Sequence, residues 1–592
     1  MNRRTDPFNW ASSRWTRRIR TGLTAGAVAV LLAACGGNSS EEEANATPPT
    51  TNEAARFLTQ ATMGPNEAAI TSLTQQGYSA WLTDQYAKPQ TLHRTYMDSM
   101  AASLAASGGA ISANNFYESW WKQALTGEDQ LRQRVAFALS QIFVISFADG
   151  TVGQYPRGVA TYYDLLGEKA FGNYRDLIES VTLHPMMGNY LTMLRNQKED
   201  AASGRVPDEN YAREIMQLFS IGLYRLNADG TVQRDVAGNA LETYTHEDIQ
   251  GLAKVFTGWS WYAGPSLTDR TRNRFFGNNA NLERDFRPMQ AYNRHTTNTD
   301  FHSISPKSFL GTTIAAQSTP DPEGDLKTAL DTIFNHPNVG PFIGRRLIER
   351  LVTSNPSPAY VGRVAAAFNS NSAGVRGDMK AVINAVLLDP EARTFDANST
   401  SYGKVREPVM RLANYLRAFN ATSTSGNFTS MGNTDDPATR LGQTPMRSPT
   451  VFNFFRPGYT PPNSSIAAAD LVAPELQLAH EVSVAGYLNY MRGSWIPANT
   501  GRDVQQNHAP ELAVADNAEA LVDRMSLLLT SGQMSSTLRG QIIAGINGRT
   551  IPAPVTSNGT VTNQAAIDTA KRDRVSIAAF LTIASPDFLV QK

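Results

Sequence analysis

The stretch "DENYAREIMQLFSIGLYRLNADG" runs from Asp208 to Gly230. At 3.6 residues per turn it reads as a helix with two unlike faces. Asn210, Arg213, Glu214 and Gln217 stand at i, i+3, i+4 and i+7 and share one stripe. Tyr211, Ile215, Leu218 and Phe219 line the other side. A wet surface, a buried polar network and an active site each account for such a stripe. A solvated face more often uses Lys and Glu at these positions, whereas two amides with one Arg and one Glu suit a buried network. Arg213 and Glu214 are sequence neighbours and do not face each other, but the spacing lets Asn210 reach Glu214, and Arg213 reach Gln217, across one turn. The fold is then expected to bury Glu214 and to pair it with Arg213 or with another guanidinium, Arg175 being one on offer.

Helical periodicity extends outward from this segment. "EDQLRQRVAFALSQIFVIS" places Leu131, Val135, Ala138, Leu139 and Ile142 on one face. "HPNVGPFIGRRLIERLV" does the same with Val339, Phe342, Ile343, Leu347 and Leu351, with Pro337 marking a fresh start. "DLKTALDTIFNH", "PAYVGRVAAAF", "MKAVINAVLL", "VREPVMRLANYLRAF" and "DTAKRDRVSIAAFLTIAS" read as further helices. Alternation of period two is rare. Its best instance is "GTVQRDVAGNALETYT", with turn signals at Asp229-Gly230 and Gly238-Asn239. The expected class is mainly α: a large multi-helix body with one short inserted β-hairpin, at about Thr231 to Thr245, as its main β element. Two long irregular loops interrupt it, at about 264–311 and 422–465.

The chain has 592 residues, with 53 Lys+Arg against 53 Asp+Glu. That balance argues against a nucleic-acid binder, which normally shows a basic surplus. The first 34 residues read as an export signal: Arg14, Arg17, Arg18 and Arg20 precede an apolar run from Gly22 that is short for a membrane span. The run ends Leu32-Ala33-Ala34-Cys35, which resembles a bacterial lipobox. That resemblance implies lipidation of Cys35 and anchoring of the mature chain to a membrane, the outer membrane being favoured because Gly36 is not Asp. Cys35 is the only cysteine, so neither an intrachain disulfide nor a multi-cysteine zinc site is possible. Residues 35–52 are Gly-, Ser-, Glu- and Pro-rich and read as a disordered tether, with the helical body expected over 53–592.

Standard catalytic motifs fail. "HEDIQ" begins like a zinc-protease helix, but Gln250 stands where the second imidazole belongs. "GWSWY" ends in Tyr262, which would crowd a nucleophile elbow. Neither a phosphate loop nor a dinucleotide fingerprint is present. Of the eight histidines, His93 and His508 read as surface residues and His480 as a helix residue. His184 and His336 each precede Pro near a helix start, where the ring can cap backbone groups. His246 opens a helix. His295 and His302 lie seven apart in the first irregular loop.

Three stretches together carry a resemblance: "AARFLTQATMGP" (Ala54 to Pro65), "DENYAREIMQLFSIGLY" and "YTHEDIQGLAKVFTGWSW" (Tyr244 to Trp261), supported by "HPNVGPFIGRRLIERLV" and "SPDFLVQ". They resemble a large family of exported, helix-rich bacterial proteins catalogued as domain of unknown function 1800. The resemblance implies no activity and leaves any cofactor unknown, but it suggests a partner, since genes of the family often neighbour an exported protein of alkaline-phosphatase-like fold. The chain departs from the family pattern twice. Gln217 stands where members usually carry Glu, and His302-Ser303 replaces a His-Asp pair ahead of Lys307 and Phe309-Leu310-Gly311. Both departures weaken a catalytic reading.

Two classes of function follow. One is a lipid-anchored cell-envelope binding or accessory protein working with an exported enzyme. Its candidate binding residues are Asn210, Gln217, Asp248 and Trp259. The other is an extracytoplasmic hydrolase with Glu214 as general base, Arg213 as clamp, His184 as acid and His302 as metal ligand.

Overall fold

The computed structural model describes residues 48–265, 275–277, 283–292, 301–496 and 501–592. Cys35, the export signal, most of the tether and His295 lie outside these residues. The body is mainly helical, as expected. It begins at Thr51, two residues inside the expected tether. The cause is a reciprocal cap, in which Glu53 N donates to Thr50 Oγ1 (3.4 Å) and Thr50 N donates to Glu53 Oε2 (2.8 Å). Thr245 and Asp248 repeat the device at the helix His246–Val255. Pro156, Pro185, Pro322, Pro358 and Pro408 each open a helix, where a missing N–H costs nothing.

The periodic faces pack as read. Leu131, Val135, Ala138, Leu139 and Ile142 are buried, as are Val339, Ile343, Leu347 and Leu351. They belong to one continuous core running from Ala54 to Phe588. A small satellite joins Phe275, Tyr292 and Phe301, with Phe275 stacked on Phe301 at 4.0 Å.

Strands among the described residues occur only as antiparallel pairs. The longest joins Lys307–Phe309 to Thr312–Ile314. The hairpin expected at Thr231 to Thr245 takes a different form. A third limb, residues 223–227, joins it, and the limbs meet through the isolated bridges Leu226↔Val232, Arg234↔Ala240 and Tyr224↔Glu242. Their hydrogen bonds close a triangle: Gln233 N donates to Arg225 O (2.8 Å), Leu241 N to Gln233 O (3.0 Å) and Arg225 N to Leu241 O (2.8 Å). The turn signals were sound, since Gly230 (φ 77°) and Gly238 (φ 89°) sit where only glycine is comfortable. Buried Asn338 holds the base of this insert, accepting from Leu226 N (3.0 Å) and donating to Ile221 O and Tyr224 O (2.8 Å each).

The second irregular stretch is ordered by polar clamps. Asp503 accepts from Ser425 N, Thr429 N and Ser423 Oγ at 2.8–2.9 Å. Thr434 Oγ1 donates to Gln443 O (2.6 Å). Phe147 N donates to Met446 O, tying the loop to the helical body.

Candidate functional site

The helix of the opening stretch spans Asn210–Gln217. Its start is set by Asp208, whose Oδ1 accepts from Asn210 N (2.9 Å) and Thr192 Oγ1 (2.8 Å). Tyr211, Ile215 and Phe219 are buried; the Tyr211 hydroxyl donates to Thr182 Oγ1 (2.6 Å) and its ring packs edge-on against Phe256. Leu218, expected on the same face, is half-buried because the helix ends at Gln217.

On the polar face Asn210, Arg213 and Gln217 are half-buried, while Glu214 is only 7% exposed. Burial of Glu214 was expected; its pairing was not realised. Arg213 Nη2 turns instead to Glu209 Oε2, one turn back, at 3.4 Å. Arg175 is committed to Glu179 (2.6 Å) and Asp331 (2.7 Å). Glu214 Oε2 is buried without a hydrogen-bond partner among the described residues. Burial therefore pushes its carboxyl up to about 7, against the weaker pull of Arg213.

Two tyrosines share this environment. Tyr190 ends the helix Pro185–Tyr190, and Tyr244 immediately precedes the cap of the helix His246–Val255. The Glu214 charge contributes to raising both hydroxyls, that of Tyr190 to about 12, although burial is the larger cause. The Tyr244 hydroxyl is buried and, like Glu214 Oε2, unpartnered. Glu209, on the Arg213 side, also lies 3.8 Å from His246 Nδ1, and His246 Nε2 contacts Gln250 Nε2 (3.2 Å). Glu214 thus lies within reach of the electrostatic influence of half-buried Tyr190 and Tyr244, beside a more exposed ionic rim of Arg213, Glu209 and His246. Near neutral pH Glu214 and the two tyrosines can both give and accept hydrogen bonds. Tyr190, Tyr244 and Glu209 escaped the sequence reading. One signal was available for Tyr244: it stands directly before the Thr245–Asp248 cap, and a cap fixes the direction of the residue preceding it.

The remaining candidates go elsewhere. Buried His184 caps a helix, its Nδ1 accepting from Met186 N (3.2 Å). The other nitrogen faces Thr161 Oγ1 (3.5 Å), whose own hydrogen goes to Gly158 O (2.8 Å). Burial lowers the His184 ring to about 3, so it is neutral and hydrogen-bonded at both ends. His302 is fully buried, with Nδ1 on Thr257 O (2.8 Å) and Nε2 on Asp325 Oδ2 (2.9 Å). Lys307 Nζ shares Asp325 Oδ2 at 2.8 Å. Both ring nitrogens of His302 face protein oxygen atoms, so neither is turned to open space where a metal could sit. Ser303 donates to Glu199 Oε1 (2.9 Å). Neither His184 nor His302 hydrogen-bonds to Glu214. Asp248 completes the cap and accepts from Leu310 N (2.7 Å). Trp259 is buried in a strand with its indole N–H unpartnered. Among the described residues no group of three or more His, Cys, Asp or Glu is placed to hold a metal ion.

The other histidines divide. His184 and His336 cap as expected, His336 Nδ1 accepting from Asn338 N (3.2 Å). His480 also caps, with Ser483. His93 is a correction: it is 1% exposed, with Nδ1 2.9 Å from Ser119 Oγ. His508 is a second, half-buried over the Phe419 ring and beside Glu511.

A family model described as Protein of unknown function (DUF1800) matches residues 56–590, and the chain belongs to that family. No curated protein and no solved structure matches it. Among the described residues no helix is long and apolar enough to cross a membrane.

Proposed function

We propose that this member of the family is a binding or accessory protein of the cell envelope, anchored through a lipid on Cys35 and working beside an exported enzyme of alkaline-phosphatase-like fold. One observation supports the binding reading above others: Glu214 Oε2 and the Tyr244 hydroxyl are both withdrawn from water and both unpartnered. A buried carboxyl and hydroxyl left open in this way are costly unless a ligand completes them. His184 and His302, the imidazoles the hydrolase reading recruits, are already spent on backbone, hydroxyl and carboxylate partners. Asn210, Gln217 and Arg213 stand on the same helix face as Glu214, where they can orient what binds.

Hydrolysis is the second reading, and the near-neutral carboxyl of Glu214 favours it, since a general base works best with a pKa near the working pH. The test separates the two. The full chain in detergent is assayed against ester, phosphoester, peptide and glycoside substrates with and without divalent metals. In parallel, a photo-crosslinker replaces Gln217 in cells. The binding reading expects a crosslinked exported protein and no Glu214-dependent turnover. Turnover that Glu214→Gln abolishes overturns it in favour of hydrolysis.

A further inference from the structure

A second set of buried, unsatisfied polar atoms lies near the start of the body. Arg56, on the helix Thr51–Ala61, is 3% exposed, and its Nη1 has no partner. Arg393 ends the short helix Pro390–Arg393. It donates through Nη2 to Gln60 Oε1, while its Nε and Nη1 are buried and unpartnered. Gln60 Nε2 and the Tyr402 hydroxyl are buried too and make no well-formed hydrogen bond, the nearest groups being each other, as Tyr78 is for Arg393. Every one of these atoms has a hydrogen to donate.

The charge is equally one-sided. The two arginines are close enough that Arg393, after burial, is the next cause lowering Arg56 to about 10, so Arg56 remains cationic at neutral pH. Glu53, whose charge both arginines feel, is exposed and engaged with Thr50. Glu391 takes its hydrogen bonds from Ser357. The rings of Phe57 and Tyr78 lie 4.9 and 5.6 Å from the Arg393 guanidinium. Such contacts compensate the face of a guanidinium and not its in-plane N–H groups. Two like charges held together in a buried place without a paired carboxylate are costly, and among the described residues no carboxylate forms an ion pair with either arginine.

We propose that Arg56 and Arg393, with Gln60 and Tyr402, form a binding site for a phosphate group. A single carboxylate is satisfied by one guanidinium fork, whereas two guanidiniums with further donors match the charge and the several oxygens of a tetrahedral dianion. Arg56 and Gln60 are the buried members of the set, and Arg393 and Tyr402 are half-buried. The site is independent of Glu214. Its phosphate can come from solution or from a phospholipid headgroup.

The test is the melting temperature of the full chain in detergent against rising inorganic phosphate, with sodium acetate at matched ionic strength as control. Binding to the folded state raises stability with the logarithm of ligand concentration above Kd. The proposal expects phosphate to raise the melting temperature where acetate does not. Arg393→Gln, at a half-buried position, should abolish the rise while leaving the unliganded melt cooperative; Arg56→Met should do the same. A dihexanoyl phosphatidic acid arm assigns the source: a rise at concentrations tenfold below those of inorganic phosphate points to a headgroup, and equal or weaker potency points to the free anion. No phosphate-specific rise in the wild type, or an undiminished rise in Arg393→Gln, overturns the site and leaves water as the occupant.

Discussion

Glu214 makes the folded protein a stronger base at one carboxyl than the unfolded chain. Its carboxyl moves from an ordinary 4.5 to about 7 on burial. Between those values the folded state holds a proton that the unfolded state has released, so stability falls as pH rises through the window and levels off above it. The full difference is roughly 3 kcal/mol, counting 1.36 kcal/mol per pKa unit. Glu214→Gln should therefore melt close to wild type at pH 4.5 and several degrees above it at pH 8.5, when both are followed by calorimetry. Parallel curves at both pH values would mean the carboxyl is solvated or paired. Much of this residue was legible beforehand: its burial followed from the stripe of amides around it. Its isolation was not, because that depends on Arg213 choosing Glu209 and on Arg175 choosing Asp331, and helical spacing does not decide between partners equally within reach.

Among elements, the helix His246–Val255 shows how closely the site's supports are fitted. Gly251 lies against the strand Lys307–Phe309 so tightly that a β-carbon there would stand 1.8 Å from Ser308 O. Gly251→Ala must push helix and strand apart, stretching the Asp248–Leu310 bond, at a cost of about 1–3 kcal/mol or more. Gly540, on the exposed side of the helix Ser536–Asn547, meets nothing within 4 Å. Gly540→Ala should be neutral or stabilise by about 0.5–1 kcal/mol. Denaturant melts of the pair check both, and a Gly251→Ala protein as stable as wild type would contradict the packing. Helices were readable because a 3.6-residue period repeats along each one. The strand pairs and the ordered stretch at 422–465 were not, because Asp503 reaches back some eighty residues to Ser423 and Ser425 and leaves no local pattern.

For the whole molecule, one polar union lies deep in the body. Glu407 is fully buried and accepts from Gln141 Nε2 (2.5 Å) and Gln443 Nε2 (2.7 Å). Lys404 Nζ bridges it (3.9 Å) to Glu475 (3.2 Å). Segments more than three hundred residues apart thus depend on one carboxylate. Glu407→Ala should cost about 1–3 kcal/mol by leaving the buried amides of Gln141 and Gln443 without their acceptor, with Glu407→Gln milder; equal melting temperatures for all three proteins would show the union to be dispensable. At the other end of the chain, Cys35→Ser should shift the protein from the detergent-soluble membrane fraction to the aqueous one, or block its maturation. Identical partitioning of mutant and wild type would remove the anchor.

The three-limbed insert adds an engineering consequence. Its ends meet, Thr243 N donating to Leu223 O at 3.0 Å, and its hydrogen-bond triangle closes on itself. Val236, at its tip, projects entirely into solvent. A module whose stem is sealed transmits little of what happens at its crown. A peptide epitope or small fluorescent domain spliced between Val236 and Ala237 should be carried as passive cargo, giving a handle on the intact protein close in sequence to Tyr244 and yet mechanically insulated from it.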